Sequence, residues 1–301
     1  MTVFKNFKEA KAANIHLDFY TRFESDHPTD RILYNSLHDQ EAYDHFHLAW
    51  YLKQILDIDL MSQSKELTFL DLPRKEKHLM VYTLLSAMEG PVCLLDFGCS
   101  LYELIDGLSL YRNVIEARAP FSTRSIIDQI DFHGVDISSE MRLGAKRLHP
   151  AHSVTLYEHF DLLDRNFDLI FDYNVSSIAF DDTDSLSRLM NLGGVGFHVL
   201  FVSREETFVS MRMGRKLTYF HLEELIGKAD KKIYHLFGDR SPGSSTKEYD
   251  ASLGKNVIEG FFLHADEEFA ENWFEISRRH PDVRRWFDEK DIQLRPAEDI
   301  W

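Results

Sequence analysis

The rhythm of apolar positions along the chain changes near residue 90. Before it, they recur at helical spacing. In "EAYDHFHLAWYLKQIL" (41–56), Tyr43, Phe46, Trp50, Leu52 and Leu56 form a broad stripe, with Ser36 and Asp39 as start signals. "KEKHLMVYTLLSAMEGP" (75–91) repeats the pattern with Met80, Leu84, Leu85 and Met88, and stops at Gly90-Pro91. After residue 90 short, continuously apolar runs alternate with helical segments. The runs are Val92 to Asp96, "FHGVDIS" (132–138), "SVTLYEHFD" (153–161), "FDLIFDYNV" (167–175) and "VGFHVLFVS" (195–203). The helical segments between them include "SSEMRLGAKRLHP" and "TDSLSRLMNLGG". Strands that are apolar throughout and separated by helices predict a parallel sheet covered on both faces.

The end of the chain follows another plan. "YFHLEELIGKA" (219–229) reads as a helix, and "KKIYHLFGD" and "NVIEGFFLHAD" then follow with no helix between them. Strands joined without a crossover pair antiparallel, so these two form a hairpin whose tip is "RSPGSSTKEYDASLG" (240–254). Trp273, Phe274, Trp286 and Phe287 at helical spacing predict one or two packed terminal helices. The domain reading is a helical cap or lid over 1–90, an α/β domain over 91–265 and a helical extension over 266–301.

Composition narrows the picture. With 301 residues, 44% hydrophobic and 13% aromatic, the chain can build a substantial core. A formal charge of −16 argues against a general nucleic-acid binder, and Arg212, Arg215 and Lys216 read as a solvated basic loop. No apolar run is long enough to span a membrane, and Cys93 and Cys99 form no disulfide framework, so a cytoplasmic, reducing setting is expected. No histidine–carboxylate set has metal-ligand spacing: His45 and His47, two apart on a helix, point in different directions, and His198 reads as a core histidine.

The pieces "VCLLDFGCS", "FHGVDIS", "HFDLL", "FDLIFDYNV", "LMNLGGVGFHVLFVS" and "YFHLEELI…NVIEGFFLHAD" occur in an order that resembles the class I S-adenosylmethionine-dependent methyltransferases from about residue 90 to 265. The resemblance implies a Rossmann-like sheet of seven strands with an antiparallel terminal hairpin, and S-adenosyl-L-methionine as cofactor. In open parallel sheets the ligand lies outside the carboxyl ends of the strands. Asp96, Gly98 and Cys99 would then flank the ligand's amino-acid end, with Gly98 allowing close backbone approach. Asp136, with Ile137, would take the ribose hydroxyls. Asp161 and Leu162 would face the adenine, and Asp172 the methionine part. Tyr173, Asn174 and Ser203 are the candidates for the reacting end.

The sequence departs from the family in two ways. After Gly98 come Cys99, Ser100, Leu101 and Tyr102 in place of further glycines. A dinucleotide's pyrophosphate needs those glycines, whereas S-adenosylmethionine carries no phosphate. Asp96 and Asp136 are also 40 residues apart, so an insertion with a second helix started near Ser122 is expected between Asn113 and Asp131. Methyl transfer to a small-molecule acceptor is the favoured function. Two alternatives are cyclisation of the ligand's own amine onto its γ-carbon, forming azetidine-2-carboxylate and expelling methylthioadenosine, and a non-catalytic binding protein. A general base is not identified by pattern; His16, Tyr20 and Tyr34 are candidates only because such a cap covers the site.

Overall fold

The computed structural model describes residues 75–115, 127–212, 215–239 and 256–301. The predicted helix at 41–56, the lid candidates His16, Tyr20 and Tyr34, the centre of the insertion (116–126) and the hairpin tip (240–254) lie outside the described residues.

Strand β1 (Val92–Phe97) is apolar at almost every position because both of its faces are covered. Leu94 belongs to one core, while Leu95 and Phe97 belong to the other. Around it lie β2 (Ile130–Val135), β3 (Val154–Tyr157), β4 (Phe167–Tyr173) and β5 (Gly193–Ser203). These strands are parallel in the order β3-β2-β1-β4-β5. β8 (Lys232–Asp239) and β9 (Val257–Ala265) form the expected antiparallel hairpin, and β9 lies antiparallel against β5. The strand order reverses at β1, which puts a crevice beside its carboxyl end. This is a Rossmann-like α/β fold.

Helices α1 (Met80–Ala87), α2 (Glu103–Ile115) and α3 (Ser139–Leu148) cover one face of the sheet. With them pack α7 (Glu267–Arg279) and α8 (Pro281–Glu289). The other face carries α5 (Thr183–Asn191) and α6 (Leu222–Lys228), while the single turn α4 (Ser176–Ala179) follows β4. The caps explain several of these starts. Ser138 Oγ accepts from Met141 N at 3.2 Å to open α3, and Asp182 Oδ1 accepts from Ser185 N at 2.7 Å to open α5. Pro281 at the first position of α8 suits a site where no backbone donor is needed. The tryptophans of the two terminal helices, Trp273 and Trp286, are buried, as their spacing predicts.

Some boundaries move, and among the described residues the sheet has ten strands, not seven. β2 ends at Val135, and β3 at Tyr157 before a short 3₁₀ turn at Phe160–Leu162. β4 ends at Tyr173 because Asn174 takes a left-handed φ of 68° that turns the chain. The basic loop is instead a hairpin: β6 (Phe208–Arg212) pairs antiparallel with β7 (Arg215–His221). Tyr219 and Phe220, placed by periodicity in a helix, lie in β7 and are buried, so α6 begins only at Leu222. Thr218 Oγ1 anchors this hairpin by donating to Phe180 O at 2.5 Å. A two-residue strand, β10 (Arg295–Pro296), closes the sheet against β8.

Candidate functional site

The crevice at the carboxyl ends of β1, β2 and β4 gathers most of the residues singled out by sequence. The loop after β1 is tied to β2, with Gly98 N and Cys99 N both donating to Val135 O, at 2.8 and 3.0 Å. Gly98 has φ 81°, and a Cβ there would stand 2.3 Å from Val175 Cγ2. Its missing side chain therefore admits the loop after β4; the expected close approach was to a ligand. Of the four residues that stand in place of further glycines, Ser100 and Tyr102 nevertheless adopt left-handed φ values of 49° and 60°. The backbone keeps the shape that glycine would permit, held by side chains: Ser100 N donates to Asp136 Oδ2 at 2.9 Å, and the buried Tyr102 hydroxyl donates to His133 O at 2.5 Å.

Asp136 sits at the end of β2 as expected. Its second oxygen, Oδ1, accepts from Ser138 N at 2.8 Å. Its two oxygens thus brace the turns that follow β1 and β2. Beside it Ile137 is 70% exposed, and Leu162 after β3 is 49% exposed, so two apolar side chains stand open on adjacent strand ends. Asp161 is exposed and pairs with Arg188 Nη1 at 3.1 Å and with His159 Nδ1 at 3.2 Å.

Asp96 is buried, and burial raises its carboxyl to about pKa 7; Lys77 pulls the value down, while Glu103, Asp136 and Asp172 push it up. Lys77 and Glu103 are functional candidates that the sequence reading missed. Lys77 Nζ donates to Glu103 Oε1 at 2.8 Å, and it lies 5.2 Å from the Phe171 ring centre and 5.6 Å from that of Tyr173. Periodicity could not reveal this, because Lys77 is a polar position on an amphipathic run and Glu103 an ordinary first-turn acid; only the fold opposes them.

Asp172 is fully buried and engaged with protein groups. Its Oδ1 accepts from Val175 N at 3.0 Å and Ser176 N at 3.1 Å, and its Oδ2 accepts from Ser176 Oγ at 2.5 Å. His198 Nδ1 approaches the same oxygen at 3.3 Å, so His198 is a core residue that orients this acid. Asp172 thus supports the β4 turn, and the residue that faces outward there is Tyr173, 38% exposed, with the half-buried Asn174 beside it. Asn174 Oδ1 is buried without a hydrogen-bond partner, an acceptor aimed into the rim. Ser203 is not brought to this group. β5 runs four residues beyond the level of Tyr173, which pairs with Val199, so Ser203 lies roughly 13 Å further along the strand. It is buried, and its Oγ accepts from Glu205 N at 3.2 Å. Both cysteines are neutral thiols: burial pushes Cys93 up to about 11 and Cys99 well above its ordinary value.

No family model matches the sequence, and no curated protein matches it. Among solved structures the chain is similar to the N-terminal domain of EvdMO1 with SAH bound, at 13% identity and TM-score 0.43, over 63% of this chain and 81% of that one. It is also similar to the O-methyltransferase from a trans-AT PKS multienzyme of Brevibacillus brevis in complex with S-adenosyl-L-homocysteine. That match has 12% identity and TM-score 0.42, over 76% of this chain and 92% of that one. A third, the O-methyltransferase segment of StiE, residues 961–1257, matches at 14% identity and TM-score 0.41 over 89% of each chain. What the crevice can hold follows from this chain's own residues.

Proposed function

We propose that this chain binds S-adenosyl-L-methionine in the crevice beside β1 and directs methyl transfer to a small-molecule acceptor. The observation that carries the reading is the charge of the crevice. Three further carboxyl groups, on Glu103, Asp136 and Asp172, act on Asp96, and among the described residues Lys77 is the cation that acts on it. Such a site repels a pyrophosphate and attracts a cationic ligand. It fits a zwitterionic, sulfonium-bearing nucleoside: Asp136 for the ribose diol, Ile137 and Leu162 for the faces of the base, Asp96 for the ammonium and Lys77 for the carboxylate. Asn174 Oδ1, a buried acceptor lacking a donor, suits the ligand's reacting end.

When bound, the cofactor supplies an already activated methyl group, so the chain's work is alignment and exclusion of water. Asp172 holds the β4 turn through Val175 N and Ser176, which fixes where Tyr173 and Asn174 point. The Tyr173 ring offers its face to a cation, worth ~1–2 kcal/mol when desolvated. The lid expected over residues 1–90 lies for the most part outside the described residues, and its described end, α1, packs into the core on one face of the sheet.

Calorimetry with S-adenosylmethionine tests the ribose assignment. Asp136→Ala should lower affinity at least tenfold in a protein that still melts cooperatively, and unchanged affinity would refute it. Product analysis then tests the chemistry. Turnover only with an added acceptor supports methyl transfer, methylthioadenosine from S-adenosylmethionine alone identifies the cyclising reaction, and binding without turnover identifies a non-catalytic protein.

A further inference from the structure

The other end of the same strands carries a second cluster. In the β1–β2 register Cys93 stands opposite Asp131, and His133 follows two residues later on the same face. One ligand atom from each of the three lies within 4.8 Å of the other two. Zinc binds sulfur at ~2.3 Å and nitrogen or oxygen at ~2.0–2.2 Å in a tetrahedron, which requires donor atoms about this close together. Sequence spacing gave no hint of this, because strand pairing and not helical repeat unites residues 38 positions apart.

We propose that Cys93, Asp131 and His133 form a divalent transition-metal site of the zinc type, with a fourth position open to water. The surroundings are those of a supported site. His133 is buried, and its Nδ1 lies 3.1 Å from the Tyr157 hydroxyl, which leaves Nε2 facing Asp131 Oδ2 at 2.9 Å. A partner on the far ring nitrogen is what orients a metal-binding imidazole. The Arg165 guanidinium stands 3.4 Å from His133 Nε2 and 3.9 Å from Asp131 Oδ2, a cation where a metal ion's charge would fall. With its side chain 46% exposed, Arg165 can swing out, and Asp131, 51% exposed, gives an entry path from solvent. Binding would break the Cys93 S–H bond, form the sulfur–metal bond and release the proton to water. One thiolate and one carboxylate then neutralise a divalent ion. Sulfur and imidazole donors favour zinc or cobalt over magnesium or calcium. Cys93 precedes Asp96 by three residues, so the site lies roughly 10 Å along β1 from the crevice, at the amino edge of the sheet.

Cobalt(II) added to full-length protein stripped by a chelator provides the test. Cys93 and Cys99 are the chain's two cysteines, so a thiolate-to-cobalt charge-transfer band reports on one of them even if histidines elsewhere bind the ion. One equivalent should produce the band, zinc should abolish it by competition, and Cys99→Ala should retain it. Cys93→Ser should lose it, with zinc affinity down at least a hundredfold. Asp131→Asn, at an exposed position, should keep the fold and the band while weakening zinc at least tenfold. No band in the wild-type protein, or a band that survives Cys93→Ser, would overturn the site.

Discussion

Asp96, next to last in β1, lies among three other acids, and its environment makes it a pH-sensitive position. Its carboxyl is raised to about 7, so between about pH 4 and 7 the folded state holds a proton that the unfolded state has lost. Stability should therefore fall as pH rises through this window, by an amount on the order of a few kcal/mol, and Asp96→Asn should flatten that part of the profile. Melting temperatures of both proteins between pH 4 and 8 check this. A cationic ligand favours the ionised acid, so affinity for S-adenosylmethionine should climb toward pH 7 and then level off. His264 sets an opposing limb. Burial, with His198 and Lys231 adding to it, lowers its pKa to about 3, so acid favours the unfolded chain below about pH 6.5. Asp230 approaches His264 Nε2 at 3.1 Å but without hydrogen-bond alignment, and burial outweighs that attraction. Of these residues, Asp96 and Asp136 were legible in the sequence because a strand end announces a crevice. Lys77, Glu103 and the inward turn of Asp172 were not, since each depends on what another element places opposite.

Among the elements, the loop between β1 and α2 departs furthest from its sequence rule. A left-handed residue other than glycine costs about 1–2 kcal/mol, and this loop carries two of them, Ser100 and Tyr102. Ser100→Gly should relieve one, raising stability by up to about 1 kcal/mol while the Ser100 N to Asp136 bond persists, as measured by urea unfolding. Gly98→Val should behave in the opposite way, losing several kcal/mol or failing to fold, because its φ and the Val175 side chain both oppose a Cβ. The parallel strands and terminal hairpin could be read from apolar runs because burial on both faces leaves that imprint. The β6–β7 hairpin could not: "KLTYFHLEEL" carries apolar residues that suit a strand and a helix equally, and only the pairing of Phe208 with Tyr219 resolves it.

At the scale of the whole molecule, the last helices are part of the core and not an appendage to it. Trp273, Trp286 and Phe287 share one cluster with α1, α2 and β1, while Ala297 and Ile300 pack into the cluster on the opposite face. Removing 267–301 should therefore abolish cooperative melting; a truncated protein with a sharp transition would show that the extension is dispensable. Trp273 Nε1 donates to Thr83 Oγ1 at 3.0 Å, across 190 residues of chain. That single contact has a consequence for the protein's birth. At ~5–20 residues per second of synthesis, Thr83 emerges roughly 10–40 s before the tryptophan that covers it. Throughout that interval α1, with six of its eight residues destined for burial, has no permanent cover on that side, and the nascent chain must be kept from neighbours by chaperones or by its own earlier segments.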